Sequence, residues 1–145
     1  MNRHPALASP RVGRLLLPAV LLASLSLAVM ADTETPPVAE LHELQREHRS
    51  GSEATEYNLG NGDIMRNHMN RITEECMDLL LNEDGEPIAD TEDMMLFVVL
   101  DEGGGVMDVV TDPEHAFADC AMEHSDEFLY GKPPEAPWVF GGPME

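Results

Sequence analysis

Apolar side chains recur at helical spacing in the middle of the chain, between Ile64 and Leu81. Steps of three and four residues place them on one face of a helix, and the turn-forming residues 61–63 precede the run. Residues 82–87, which include acids, a glycine and a proline, end it. The spacing predicts a helix over 64–81 whose inward face consists of Met65, Met69, Ile72, Cys76, Leu79 and Leu80.

Two short apolar runs follow, and both are rich in β-branched or aromatic residues. Met94–Leu100 and Val106–Thr111 flank the glycine-rich stretch 101–105, which is typical of a hairpin turn. In the second run a period of two places Met107 and Val109 on the same face. Because an isolated hairpin is only marginally stable, we expect a helix to cover one of its faces.

A second helix is predicted after the hairpin, where Asp112, Pro113 and Glu114 supply a cap, a first-turn proline and an acid near the helix N-terminus. The tail over 133–140 has the pattern of an extended run that delivers a third strand. Together these elements predict an α+β fold with two helices packed on a small antiparallel sheet of about three strands. The inward stripe of the second helix consists of Phe117, Cys120, Ala121, His124 and Phe128.

Residues 1–31 have the pattern of a secretory signal peptide. The first 14 residues contain three arginines and no acid. An apolar run, Leu15–Val29, follows them and is shorter than the ~20 residues a membrane-spanning helix needs. Val29 and Ala31 stand at the positions that signal peptidase reads, so we expect cleavage after Ala31. An uncleaved N-terminal anchor is the alternative. Cleavage predicts a periplasmic or secreted protein that contacts a membrane only through this segment, before its removal.

The next stretch, 32–63, is expected to be an acidic linker with one short helix. Two prolines can open the first turn of that helix, and Val38, Leu41 and Leu44 share one of its faces. The polar residues that follow break the apolar pattern. We therefore expect the globular part of the chain to be one small α+β domain over 64–145.

The net charge of the chain limits the kinds of partner that it can bind. The chain has 28 acidic and eight basic residues, and three of the basic ones lie in the signal segment. Residues 32–145 therefore carry five basic residues against 28 acids, a formal charge of −23. Such a surface repels phosphate backbones and attracts cationic groups, so we expect no nucleic-acid partner.

The chain contains two cysteines, Cys76 and Cys120. Their separation of 44 residues excludes a CxxC redox motif and the ligand spacing of a zinc ribbon. In an oxidising compartment an isolated pair usually forms a disulfide. Since both residues lie on predicted inward faces of helices, we expect a structural disulfide that joins the two helices.

The order of these elements resembles the periplasmic C-terminal domain of TonB-type energy transducers, and more closely its cysteine-bearing relatives of the AgmX type. The resemblance implies a non-enzymatic interaction domain with an exposed sheet edge, able to accept a strand from an envelope protein or peptide. True transducers keep a membrane anchor and a long proline-rich spacer, which this chain lacks between its signal-like segment and the domain. The matching residues within 64–145 are Cys76, Leu96–Asp101, Gly105–Val109, Cys120, Phe128 and Pro133-Pro134.

Metal binding is the alternative function. Ten methionines and six histidines supply soft and borderline ligands that suit copper, and Cys120, Met122 and His124 form the densest cluster. Methionines on an apolar stripe are more often core residues, so our first expectation is no metal and no cofactor.

The sequence has no G-x-S-x-G, H-E-x-x-H or P-loop motif, so we expect no enzyme and assign no catalytic residue.

Overall fold

The structure is a computed structural model that describes residues 34–88, 91 and 93–144. Within these residues there are four α-helices, a 3-10 turn and three β-strands. The helices are α1 (Val38–Glu47), α2 (Ser52–Gly60), α3 (Gly62–Cys76) and α4 (Phe117–Glu123), and the 3-10 turn covers Met77–Leu80. The strands are β1 (Met95–Leu100), β2 (Val106–Asp112) and β3 (Trp138–Pro143).

The predicted signal peptide, residues 1–31, lies outside the described residues. Across the ranges that are described, no helix combines the length and the apolar character needed to cross a membrane.

The three strands form one antiparallel sheet in the order β2-β1-β3, with β1 in the centre. Val98 of β1 lies opposite Val109 of β2 and Phe140 of β3. The bounds of β1 and β2 agree with the expected strands to within one residue, and the tail delivers the third strand. The predicted α+β class with a small antiparallel sheet is confirmed.

Helices cover both faces of the sheet, because the central strand β1 is apolar on both sides. On one face, Leu96 and Val98 join a core that includes residues of α3 and α4. On the other face, Phe97 packs with Leu41 of α1 and Val139 of β3. The sheet is therefore the middle layer of the domain.

The described part of the expected linker, 34–63, holds two helices instead of one. Leu41 is fully buried, and α1 packs on β3. The described residues of the domain thus form four α-helices where the sequence pattern predicted two. Three apolar residues on one helix face, Val38, Leu41 and Leu44, are too few to show from sequence whether the helix packs on the domain or belongs to a linker. It packs there because the second apolar face of β1 must be covered.

Two helix boundaries are also corrected. α3 ends at Cys76 instead of Leu81, and the chain continues as the 3-10 turn. α4 begins at Phe117, later than expected from Asp112, which is the last residue of β2, and from Pro113. Side chains hold the intervening turn, since the His115 N–H donates to Thr111 Oγ1 at 2.9 Å and the Phe117 N–H donates to His115 Nδ1 at 3.1 Å.

A β-bulge alters the expected alternation of side chains in β2. The register between β1 and β2 shifts between Val99 and Leu100. Val109 consequently packs in the α3 and α4 core, whereas Met107 packs on the α1 side. Strict alternation placed both on one face, and that expectation is wrong because an extra residue in one strand changes the facing of the side chains beyond it.

Candidate peptide-binding groove

Side chains from α1 and the residues after it cover the outer edge of β3. The Val139 N–H donates to His48 Nδ1 at 2.9 Å, and the Gly141 carbonyl accepts from Gln45 Nε2 and Arg49 Nη2, both at 2.7 Å. These backbone groups point away from β1, so an added strand would need them. A peptide could pair with this edge only by displacing three side chains.

Removing one of these side chains tests whether α1 is a stable part of the domain. Gln45 is 3% exposed, so Gln45→Ala removes a buried hydrogen bond and is expected to lower the free energy of unfolding by about 1 kcal/mol. Arg46→Ala changes an exposed residue of the same helix and should alter it by less than about 0.5 kcal/mol. Urea denaturation measures both variants. Near-zero effects in both would contradict the docking of α1.

The other edge of the sheet, on β2, is also covered. The Val139 N–H of β3 points away from β1. Because hydrogen-bonded and non-hydrogen-bonded pairs alternate along antiparallel strands, the backbone N–H and C=O groups of Val109 and Thr111 on β2 also point away from β1. These two residues are only 4% and 2% exposed, and α4 packs against the strand. Nearer the hairpin turn, the Tyr130 N–H donates to the Gly104 carbonyl. The described part of the chain therefore lacks the exposed sheet edge that the TonB resemblance implies.

An open groove of about 420 Å³ lies at the end of β3, beside α3. Two glycines of β3, Gly141 and Gly142, line it. Gly141 has a φ of +138°, and a Cβ there would collide with the Leu96 carbonyl, so this position requires glycine. We call this feature the methionine groove, because its apolar lining includes Met65, Met69, Met77, Met144, Leu96 and Phe140.

The methionines reach the groove from neighbouring turns of one segment and from the end of the chain. Met65 and Met69 are one turn apart on α3, and Met77 follows in the 3-10 turn. Met65 and Met69 pack partly against the core, while Met77 is 36% exposed. Unbranched thioether side chains adapt to ligands of different shape, which explains their frequency on surfaces that bind varied peptides. The groove is therefore apolar and adaptable.

The groove also has a cation, Arg49. Its guanidinium donates to the Gly141 carbonyl, and within the described ranges no carboxylate forms an ion pair with it. Arg66 and Arg71, by contrast, are paired with acids on their own helix. Arg49 therefore keeps N–H donors that a carbonyl or carboxylate of a ligand can use.

A second polar cluster surrounds His68 of α3. Its Nδ1 lies 2.8 Å from the Tyr130 hydroxyl and its Nε2 lies 2.7 Å from Ser125 Oγ. Because Ser125 Oγ donates to the Ala121 carbonyl, it accepts from Nε2–H, and Nδ1 accepts from Tyr130. The ring of Phe128 stacks on the imidazole at 4.4 Å. His68 and Ser125 are both 0% exposed, so no substrate can reach the pair and we assign it a structural role.

The His68 cluster makes stability depend on pH. Burial lowers the pKa of His68 from 6.5 to about 4. The folded state thus disfavours the protonated ring, and this contribution to stability is complete above pH 6.5 and is lost as the pH falls through about 4. Between these values we expect the free energy of unfolding to fall more in the wild-type protein than in His68→Gln, as measured by urea denaturation. Parallel curves would contradict this assignment.

The predicted disulfide between Cys76 and Cys120 is present, with an S–S distance of 2.02 Å. Of the alternative metal ligands, Cys120 is therefore bonded to another sulfur, and Met122 packs against the core of α3 and α4. His124 lies beside the disulfide, where a ring nitrogen and the two sulfurs are all within 4.8 Å of one another. The structure thus groups His124 with both cysteines.

Sequence reasoning missed the methionine groove. It placed Met65 and Met69 on an inward stripe and gave no role to Arg49 or to the residues after Phe140. The one local signal is the Gly-Gly-Pro sequence at 141–143, because glycine within a strand often marks the close approach of another backbone or of a ligand.

The fold and the groove define a class: a small α+β domain with one disulfide, helices on both faces of a three-stranded sheet, and an apolar cleft at the end of one edge strand. Comparisons with protein-family models, with curated proteins and with solved structures found no match to this chain. The resemblance to TonB-type domains therefore stays a prediction from the sequence.

Proposed function

We propose that the protein is an exported, non-enzymatic interaction domain that binds a segment of an envelope protein or peptide in the methionine groove. The observation that carries the proposal is an open apolar cleft beside two covered sheet edges. Export is supported by the signal-like pattern of residues 1–31 and by a disulfide, a bond typical of oxidising compartments.

The chemistry of the groove specifies the segment. A volume of about 420 Å³ suits a few apolar side chains, and flexible thioethers allow them to vary. Arg49 offers donors to a carbonyl or carboxylate of the same segment. Outside the groove, a formal charge of −23 over residues 32–145 attracts basic residues and speeds association with them. The segment that fits is therefore apolar in the centre and basic in its flanks.

Copper binding is the second candidate, and a specific observation favours it. Four methionines line the same groove, and thioether sulfur is a ligand that selects Cu(I). Both cysteine sulfurs are held in the disulfide, so they do not compete for the ion while that bond is intact. The two candidate functions thus depend on different properties of the same side chains, apolar shape in one and sulfur in the other.

A double variant, Met65→Leu with Met69→Leu, separates the two functions. Leucine keeps the apolar character and nearly the volume of methionine but has no sulfur. Peptides selected from a random displayed library on the wild-type protein should bind this variant with affinity unchanged within a few-fold. Titration with Cu(I) in the presence of a competing chelator measures the alternative.

The outcomes are distinct. Retained peptide affinity with no tight Cu(I) binding supports the interaction domain. Tight Cu(I) binding to the wild-type protein that the double variant loses, together with no selectable peptide, would replace it with the copper function.

A further inference from the structure

Three potential metal ligands meet where α3 ends against α4. Cys76 is the last residue of α3, Cys120 lies in α4, and His124 follows one turn after Cys120. Their two sulfurs and a ring nitrogen lie within 4.8 Å of one another. Cys76 is fully buried, while Cys120 and His124 are partly exposed, so the cluster is accessible from one side. No hydrogen bond between described residues engages the His124 ring, which leaves its nitrogens available.

We propose that reduction of the disulfide converts this cluster into a binding site for a thiophilic d10 cation such as Zn²⁺, held by the thiolates of Cys76 and Cys120 and the imidazole of His124. This inference goes beyond the interaction domain proposed above and does not depend on it. It also differs from the cluster expected from sequence, because Cys76 takes the place of Met122.

The reaction balances with a dithiol reductant. One thiolate of the reductant attacks a sulfur of the disulfide, releasing one cysteine and forming a mixed disulfide with the other. The second thiolate of the reductant then displaces that other cysteine sulfur, so the reductant leaves as a cyclic disulfide. The two electrons it supplies leave Cys76 and Cys120 as thiols, each with one proton. Binding of Zn²⁺ then releases those two protons as both thiols become thiolates.

The geometry suits such a cation. With Zn–S of about 2.3 Å and Zn–N of about 2.0 Å, neighbouring ligands of a tetrahedral ion are roughly 3.5–3.8 Å apart. After reduction the two sulfurs separate to that distance, and a His124 nitrogen already lies within 4.8 Å of both. Three protein ligands leave a fourth position for water on the exposed side. The strongly acidic chain also concentrates cations at its surface.

Cadmium titration of the full protein tests the site, because thiolate-to-Cd²⁺ charge transfer absorbs in the ultraviolet. The protein is reduced with a dithiol, freed of reductant without oxygen and titrated beside the oxidised form. We expect one Cd²⁺ per reduced chain and no band for the oxidised form. Loss of an outer-shell partner alone typically weakens metal affinity roughly 10- to 100-fold, so His124→Ala, which removes a ligand, should weaken binding by at least about 10-fold. His42→Ala, which removes an imidazole beside Phe97 on the opposite face of the sheet, should leave it unchanged.

Far-UV circular dichroism accompanies each titration, because reduction removes a structural bond. If the reduced chain unfolds, Cd²⁺ should restore the native spectrum of the wild-type protein and fail to do so for His124→Ala. The proposal is overturned if the reduced wild-type protein binds no Cd²⁺, or if His124→Ala binds it as tightly as the wild type does.

Discussion

Thr73→Trp should reduce the affinity for a selected peptide by at least about 30-fold, which corresponds to about 2 kcal/mol of binding free energy. Thr73 is exposed on α3 and lines the methionine groove. An indole at this position occupies the cleft that the apolar side chains of the peptide need. The hydrogen bond that Thr73 donates to the Met69 carbonyl is local and exposed, so its loss changes stability little. Fluorescence anisotropy with a labelled peptide measures the affinity.

Asn70→Trp provides the matched control. Asn70 is also exposed on α3, but it does not line the groove. The same residue type added to the same helix should leave peptide affinity within about two-fold of the wild type. Equal losses in both variants would mean that the tryptophan acts through the helix itself, and an unaffected Thr73→Trp would place the peptide elsewhere.

Removal of the disulfide should produce the largest loss of stability. Cys76 and Cys120 are separated by 44 residues, and opening a loop of that length costs about 3–4 kcal/mol in the chain-entropy model. Replacement of both residues by alanine is therefore expected to lower the free energy of unfolding by at least that amount. Cys76 is fully buried in the core of α3 and α4, so lost packing adds to the entropic effect.

Urea denaturation with and without a dithiol distinguishes the contribution of the disulfide bond to stability from that of the two cysteine side chains. Reductant should lower the stability of the wild-type protein towards that of the double alanine variant and leave the variant unchanged. A wild-type protein whose stability does not respond to complete reduction would show that the disulfide is dispensable for the fold.

The hairpin could be predicted because its signals are local. Val98 and Val99 are β-branched, and a glycine cluster stands between the two apolar runs, so strand type and turn follow from neighbouring residues. The disulfide followed from the inward facing of Cys76 and Cys120 on helical stripes. The bulge in β2 did not follow, because strict alternation gives no indication of one extra residue.

The docking of α1 and the methionine groove could not be predicted, because both depend on tertiary structure. Leu41 is one of few apolar residues on a short, polar helix, and only the second apolar face of β1 explains its burial. The groove combines Arg49, residues of α3 and the end of β3, which are distant in sequence. Side chains that meet only after folding leave no periodic pattern in one sequence.

The covered sheet edges show how far a resemblance in element order extends. Element order predicted three strands and a helix before and after the hairpin, and these are present. It could not predict that Gln45, His48 and Arg49 bind the outer backbone groups of β3, because those residues precede the matched segment. Residues outside the matched segment therefore determine whether an edge of the sheet is exposed.

Amide chemical-shift mapping with a selected peptide tests the central claim most directly. Binding in the methionine groove predicts that the amides of Met69, Thr73, Gly141 and Gly142 shift on titration, while those of Val109 and Thr111 stay in place. Shifts concentrated at Val109 and Thr111 would contradict the account, because they would show that the peptide opens the β2 edge and adds to the sheet as a strand.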